Sequence, residues 1–349
     1  MNAKQKRVKK WKLFLTIFTF AALGAMIFAI REQLGQVIDN LGKANTFALL
    51  LMIPMQVLNY HSQSGLYRSL LAILGEKIEY KKMITIALEL NFVNNVFPSG
   101  GVSSFSYFGL RMRKEGVSGG KATLVQMMKF AMVFISFQIL LFIGLFCLAI
   151  VGKTSNLTIL VAASLGTFLL VGTLGVSFII SSEQRITSFF GYITRTINKL
   201  IHIVRPHYPE TINVHKVEKM FIELHENYMI LKSNYRELLK PLVYALGANA
   251  TEILTIYSVY IAFGNYVNIG AVIIAYAVAN FAGIVSVLPG GVGIYEALMT
   301  GVLITAGVPA SVSIPVTVMY RVLNMLIQLP AGYYFYHKTL HGNESEQEK

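Results

Sequence analysis

Cysteine is almost absent from this sequence, since Cys147 is the single cysteine among 349 residues. One cysteine cannot form an internal disulfide bond or a cysteine-based metal site, and the seven histidines show no zinc-binding spacing. The sequence also lacks a phosphate-binding loop, a dinucleotide-binding fingerprint and a nucleophile elbow. These absences argue against the common soluble enzymes, and they lead us to expect neither a metal nor a cofactor.

Charge is the second scarce property, because Asp, Glu, Lys and Arg make up 13% of the chain while 54% of its residues are hydrophobic. A helix needs about 20 residues to cross a hydrocarbon core of about 30 Å. Apolar windows of that length recur along the chain, and the first is too long for a signal peptide. The sequence therefore predicts an all-α integral membrane protein with a single transmembrane domain over 1–349. The windows are 12–31, 45–66, 119–151, 156–180, 238–263 and 310–338, with further apolar stretches at 83–110 and 268–307.

Acidic residues are fewer than basic ones, which gives a net charge of +13. This excess does not indicate nucleic-acid binding, because 25 of the 30 lysines and arginines fall in alternate loops between the apolar windows. Basic loops of membrane proteins are retained on the cytoplasmic side. We therefore expect both termini and the polar segment 181–237 to be cytoplasmic.

Two glycine-rich turns interrupt apolar sequence about 190 positions apart and share their flanking residues. Asn91-Phe92 precedes the first turn as Asn280-Phe281 precedes the second, and Lys129 and Arg321 follow at matching distances. The chain is therefore an internal duplication, with a first repeat at 45–151, a second repeat at 238–338 and a polar tail at 339–349. The turns are Pro98-Ser99-Gly100-Gly101-Val102 and Pro289-Gly290-Gly291-Val292-Gly293.

The loop charges place both ends of 83–110 on the cytoplasmic side and both ends of 268–307 on the outer side. Each glycine turn then belongs to a re-entrant hairpin, and the two hairpins enter from opposite sides. This predicts a helical bundle with an inverted internal repeat, about six crossing helices and two glycine-hinged hairpins. Eight conventional spans are the alternative.

Irregular backbone at membrane depth must be buried in protein or must line a wet cavity. Proline ends the preceding helix, and glycine supplies backbone angles that other residues avoid. A half-helix that begins after each turn points its positive end at the centre, which suits an anion. A simple packing kink is the other interpretation of the turns.

Polar side chains follow helical spacing inside the apolar windows, so they are expected to face the interior of the bundle. Two interpretations stay open: structural ion pairs, Glu89 with Lys129 and Glu252 or Glu296 with Arg321, or a phosphate held between Lys129 and Arg321. The substrate-binding candidates are Lys129, Arg321, Glu296, Glu89, Glu252, Asn94, Asn95 and Asn324. The hinge candidates are Pro98, Gly100, Gly101, Pro289, Gly290, Gly291 and Gly293.

Residues 181–237 form the longest polar segment, and its apolar positions recur at helical spacing on both sides of a break at Pro206–Pro209. This pattern predicts two amphipathic helices that link the repeats at the cytoplasmic membrane interface. A docking helix for a regulatory partner is the alternative.

The second glycine turn carries the clearest resemblance to a known family. Pro289-Gly290-Gly291-Val292-Gly293 is followed by Glu296-Ala297, then by Gly307-Val308, and finally by Tyr320-Arg321. With the looser first motif, this run resembles the lysylphosphatidylglycerol synthase transmembrane-region family, also called the flippase-like family. The resemblance covers nearly the whole chain.

The resemblance implies a bacterial cytoplasmic-membrane protein that moves an amphiphilic phospholipid, such as lysylphosphatidylglycerol, between leaflets, and a link to resistance against cationic antimicrobial peptides. Full-length bifunctional members join this region to an acyltransferase domain that this sequence does not contain. The chain alone is therefore not expected to act as a phosphatidylglycerol lysyltransferase. Its expected partners are membrane phospholipid, a separate acyltransferase or a second copy of the chain. A membrane part for a separate catalytic domain and a small-solute secondary transporter are the alternatives.

Overall fold

The computed structural model describes residues 16–17, 19–97, 102–152, 155–204, 214–285 and 291–341, and within these ranges it contains helices and no strand. The helices are α1 Thr19–Ala29, α2 Arg31–Leu41, α3 Thr46–Leu49, α4 Met52–Ile73, α5 Tyr80–Val96, α6 Val102–Lys114, α7 Gly119–Val151, α8 Asn156–Ile180, α9 Glu183–Val204, α10 Val214–Ser233, α11 Leu239–Ala262, α12 Ile269–Val285, α13 Ile294–Thr305 and α14 Ala310–His341. A 3₁₀ turn, Tyr235–Leu238, leads into α11.

Four of these segments are long and apolar enough to cross a membrane: Gly119–Val151, Asn156–Ile180, Tyr235–Ala262 and Ala310–Leu340. Helix α4 has 22 residues, so it is also about 33 Å long, but its amide side chains lower its mean hydropathy. The prediction of an all-α, multi-pass membrane protein is confirmed. Helix α14 runs to His341, so the boundary predicted at 338 falls inside a helix.

The two glycine turns each join a pair of short helices, and each pair packs together as a hairpin. Helices α5 and α6 have 17 and 13 residues, and α12 and α13 have 17 and 12. At 1.5 Å per residue these lengths are about 18 to 26 Å, which is less than the hydrocarbon thickness. Helices of this length favour re-entrant hairpins over the alternative of eight conventional spans.

The open ends of the hairpins lie on opposite sides of the bundle. Lys82 Nζ at the start of α5 is 3.1 Å from Glu115 Oε2, just past the end of α6, near the loop that precedes α7. At the other end of α7, Asn268 Nδ2 before α12 donates to the Cys147 carbonyl at 3.0 Å. Because α7 separates these contacts along its length, the hairpins enter from opposite faces.

The equivalent helices α4 and α11 run antiparallel and form the centre of the bundle. Asn45 N donates to the Ala262 carbonyl at 2.7 Å at one end, and Asn59 Nδ2 donates to the Ala248 carbonyl at 2.7 Å further along. The hairpins exchange partners, since α5 packs on α14 of the second repeat and α12 packs on α7 of the first. Antiparallel equivalents with reciprocal packing are the arrangement that an inverted repeat produces.

The segment between the repeats contains the two predicted helices, α9 and α10, which pack against each other. Helix α10 also docks on the bundle, where Leu224 and Leu231 are buried and His225 Nδ1 is 2.8 Å from the Ile180 carbonyl oxygen. The break at Pro206–Pro209 lies outside the described residues. The placement of these helices at a membrane interface stays a prediction.

Candidate functional site

A polar cavity of about 270 Å³ lies where the two hairpin tips meet the middle of α4 and α11. Phe97, next to the first turn, and Gly291, within the second, both line it, so these two described residues lie at the depth of the helix centres. The lining includes Asn59 and Gln63 of α4, Asn91, Asn94 and Asn95 of α5, Lys129 of α7, Asn249 and Glu252 of α11, Asn280 of α12, Tyr295 of α13, and Tyr320, Arg321, Asn324 and Gln328 of α14.

The second turn has the backbone geometry that its glycines predict. Gly291 and Gly293 have φ angles of 68° and 87°, a region where side chains other than glycine are strained. Gly293 directly precedes α13. Pro98, Gly100, Gly101, Pro289 and Gly290 lie outside the described residues, so their hinge roles stay predictions.

The carboxylate of Glu296 occupies the N-terminal end of α13, which is the end of a helix that attracts anions. Its Oε2 accepts from the backbone N–H of Gly293 at 2.7 Å, and its Oε1 lies 3.1 Å from Arg321 Nε. Both side chains are largely buried, at 11% and 12% exposure. Arg321 also lies over the Tyr295 ring at 4.2 Å. The sequence-based pairing of Glu296 with Arg321 is therefore present, and it fixes the hairpin tip to α14.

Lys129, the repeat equivalent of Arg321, has different surroundings. Its Nζ lies 4.8 Å from the centre of the Phe130 ring and 5.9 Å from that of Tyr67. Among the described residues no carboxylate lies within 4.0 Å of this ammonium group. Lys129 lines the cavity, so it presents a positive charge to whatever the cavity holds.

Glu252 is the carboxylate of the cavity with neutral hydrogen-bond partners. Its Oε1 accepts from the Tyr320 hydroxyl at 2.5 Å and from Asn324 Nδ2 at 2.7 Å. Its Oε2 accepts from Gln56 Nε2 at 3.1 Å. The residue is 8% exposed and sits in the middle of α11.

A chain of amides continues from this carboxylate across the interface between the repeats. Gln328 Nε2 donates to Gln56 Oε1 at 2.7 Å, and Asn91 Nδ2 donates to Gln328 Oε1 at 2.7 Å. Asn95 Nδ2 donates in turn to Asn91 Oδ1 at 2.6 Å. The network therefore joins α4, α5, α11 and α14 around one side of the cavity. The exposed Asn94 lines the same cavity.

The predicted pairing of Glu89 with Lys129 is wrong. Glu89 is fully buried away from the cavity, where Arg111 Nε lies 2.7 Å from its Oε2 and the Tyr107 hydroxyl donates to the same oxygen at 3.0 Å. Thr339 Oγ1 donates to its Oε1 at 2.6 Å. Arg111 lies on α6, and the packing of α6 against α5 brings its guanidinium group to Glu89. Lys129 lies on α7 and lines the cavity instead. Glu89 thus holds α5 to α6 and α14.

Aromatic residues of the site were missed by the sequence analysis. Tyr67, Phe130 and Tyr295 border the two cations, while Tyr276 and Tyr320 line the cavity near Glu252. A signal existed for two of them, since Phe130 and Tyr320 are directly adjacent in sequence to Lys129 and Arg321. Tyr67 and Tyr295 have no such signal, because they approach the cations from other helices.

Two opposed hairpins around a polar cavity, in a bundle with membrane-length helices, define an all-α multi-pass membrane protein. A family model described as the lysylphosphatidylglycerol synthase TM region matches residues 12–332 of the chain. The chain belongs to this family.

Archaeal relatives are similar to this chain over different lengths. A UPF0104 membrane protein of Methanocaldococcus jannaschii is 22% identical over 342 residues, which are 95% of both chains. A UPF0104 membrane protein of Methanothermobacter thermautotrophicus is 33% identical over 103 residues, or 30% of this chain and 31% of its own. One of Pyrococcus horikoshii is 24% identical over 110 residues, which are 32% and 33% of the two chains. The matches to the last two therefore span about a third of those relatives.

Proposed function

We propose that this protein moves a phosphate-bearing amphiphile between the leaflets of a membrane, with the headgroup passing through the central cavity. The observation that carries the proposal is Lys129, a cation in the cavity whose neighbours are aromatic rings. A charge at membrane depth is costly and usually serves a ligand or a partner. An anionic phosphate supplies the missing counter-charge.

The size and lining of the cavity support a headgroup as its content. The cavity volume of about 270 Å³ lies just below the roughly 300–1,000 Å³ typical of ligand sites, so we expect it to hold a polar headgroup and no acyl chain. Acyl chains would remain in the surrounding bilayer. The amides of Asn94, Asn95 and Gln63 provide hydrogen-bonding groups for phosphate and hydroxyl oxygens.

The family description suggests lysylphosphatidylglycerol or a related phospholipid as cargo, and export of such a cationic lipid would protect a bacterium against cationic peptides. We place the protein in the cytoplasmic membrane with both termini inside, on the basis of its basic loops. Single cysteines at Ser188 and Asn265, introduced into a Cys147→Ser background, test this orientation. Labelling of Ser188→Cys by an impermeant reagent in intact cells would reverse it.

Reconstitution into vesicles containing labelled phosphatidylglycerol or lysylphosphatidylglycerol tests the transport itself. We expect the wild type to expose the label to an external quencher, and Lys129→Gln to slow this exposure by about ten-fold or more. Lys129→Arg keeps the charge and should retain much of the rate. Lys82→Gln, at an exposed ion pair far from the cavity, is the matched control. Equal rates for vesicles with wild-type protein and with no protein would refute lipid movement.

A small-solute transporter is the second candidate, and the small volume and polar lining of the cavity favour it. The same vesicles distinguish the two functions. Uptake of a soluble phosphate ester that depends on Lys129, with no movement of labelled lipid, would replace the first proposal with this one.

A further inference from the structure

Three carboxylates lie within the apolar helices, and their partners divide them into two kinds. Glu89 is bound by Arg111, and Glu296 by Arg321. The partners that the structure shows for Glu252 are a phenol and two amides, all of them neutral. Glu252 also lines the cavity, whereas Glu89 is sealed from it.

This difference decides which carboxylate can exchange a proton. Protonation of Glu89 or Glu296 would remove the closest counter-charge of a largely buried arginine, which strongly opposes the change. Around Glu252 both states can be satisfied, because a phenol either donates or accepts and an amide presents a donor or an acceptor according to its rotamer. The four acceptor positions of the carboxylate are also not all used, since its Oε2 accepts one bond in the structure.

The groups that face Glu252 from the packed helices are consistent with such exchange. Tyr320 and Arg321 approach from α14, Tyr60 lies on α4, Tyr276 on α12, and Lys129 lines the same cavity from α7. The phenols are neutral near neutral pH. The two cations favour the ionised form of Glu252, so a phosphate that binds Lys129 would favour its protonation.

A change at Glu252 would also be transmitted to the first hairpin. Tyr320 and Asn324 are held by one carboxylate oxygen, and Gln56 by the other. Gln56 accepts from Gln328, which accepts from Asn91 on the first hairpin helix. Reorientation of one amide therefore requires its neighbours to reorient, across the contact between the two repeats.

We propose that Glu252 takes up and releases a proton during transport, so that movement of the cargo is coupled to a proton gradient. The proposal rests on the proposed function for its cargo, but proton exchange at Glu252 is measurable without transport. The proton enters from the water of the cavity, bonds to a carboxylate oxygen, and leaves by the same oxygen. The substitution Glu252→Gln fixes the neutral form, and Glu252→Asp keeps a titratable group.

Infrared difference spectroscopy of the purified protein tests proton exchange directly. Spectra between mildly alkaline and mildly acidic buffer should contain a protonated-carboxyl band that disappears in Glu252→Gln and persists in Glu252→Asp. Glu79→Gln, which removes an exposed carboxylate, is the control and should leave the buried-carboxyl band in place. Identical spectra for the wild type and Glu252→Gln would overturn the proposal, whatever the transport rate.

Vesicles with an imposed pH difference test the coupling. A difference of about one pH unit should shift the wild-type distribution of cargo between leaflets by up to about ten-fold, and reversing it should reverse the shift. Glu252→Gln should give the same distribution with and without the gradient. A gradient-dependent shift retained in Glu252→Gln would refute coupling through this residue. Wild-type protein that moves no cargo while Glu252 still exchanges its proton would refute the proposed function alone.

Discussion

In the first repeat the hairpin helices are joined by a buried ion pair about halfway along α5, whereas in the second repeat the hairpin is held at its tip. Glu89 and Arg111 form the first contact, and Glu296 and Arg321 form the second. Because Arg111 stabilises the first hairpin, Lys129 is not needed for that purpose and remains in the cavity with aromatic neighbours. The two repeats thus share a backbone arrangement but assign their equivalent cations different roles.

Two residues at equivalent positions of the repeats can therefore have different roles. Arg321 serves the fold because a carboxylate lies one turn into α13, where it also caps the helix. In the first repeat the corresponding half-helix, α6, begins with Val102, Ser103 and Ser104 and has no acidic residue in its first turn. Lys129, the cation that corresponds to Arg321, therefore has no carboxylate partner on α6.

The largest effect on stability is expected at Glu89. Glu89→Gln removes the close, buried counter-charge of Arg111, 13% exposed, and leaves it only the 4.0 Å contact with Glu115. It should lower the free energy of unfolding by about 3–5 kcal/mol. Unfolding in mixed micelles, titrated with a denaturing detergent, measures this loss. The double substitution Glu89→Gln with Arg111→Gln should recover much of it. A single variant as stable as the wild type would mean that the first hairpin does not depend on this pair.

A somewhat smaller loss is expected at the second pair. Arg321→Gln should cost about 2–4 kcal/mol, because Glu296 keeps its bond from Gly293 when the guanidinium is gone. Arg321→Lys should cost less, since the charge remains, and Glu296→Gln combined with Arg321→Gln should restore stability. The same micelle titration measures all three.

A specific loss of transport in an Arg321 variant would contradict the different roles assigned to the two cations. If Arg321→Gln slows lipid movement as Lys129→Gln does, keeps wild-type stability, and is not rescued by the added Glu296→Gln, then both cations bind the phosphate. The repeats would then be functionally symmetric.

A third prediction concerns the backbone of the second hinge. Gly293 has a φ of 87° with no atom near an added Cβ, so Gly293→Ala tests backbone strain alone. We expect a loss of about 1–3 kcal/mol in the free energy of unfolding. Gly301→Ala, in the helix that follows and also in open space, is the control and should be neutral or stabilising by up to about 1 kcal/mol. Equal effects at both glycines would show that the turn does not require its left-handed conformation.

The smallest change in stability is expected at Lys129. Lys129→Gln removes a cation–π contact worth about 0.5–2 kcal/mol, but it also removes the cost of burying an ammonium group. The two effects oppose each other, so the net change should stay within about 1 kcal/mol while transport falls. A loss of stability as large as that of Arg321→Gln would show that Lys129 has a structural role. The two equivalent cations would then both stabilise the fold.

The membrane environment, the helices and the internal duplication could all be predicted from the sequence. Long apolar windows specify membrane helices because the bilayer sets their length, and the paired glycine turns specify hairpins because the hinge needs backbone angles that glycine permits. The same local signals placed Glu296 at the start of a half-helix, three positions after the cap residue Gly293, but left Glu252 and Glu296 both open as the partner of Arg321. These features depend on residues close together in the chain.

Tertiary structure alone decided which charges meet. Glu89 binds Arg111 and Thr339, which are 22 and 250 positions away, and Glu252 is bound by residues of α4 and α14. Several cations and carboxylates had suitable spacing for other pairings, and helical periodicity gives the face of a helix but not the neighbour that packs on it. The partner of a buried charge is set by the packing of helices distant in sequence, and here that packing left Lys129 and Glu252 facing the cavity.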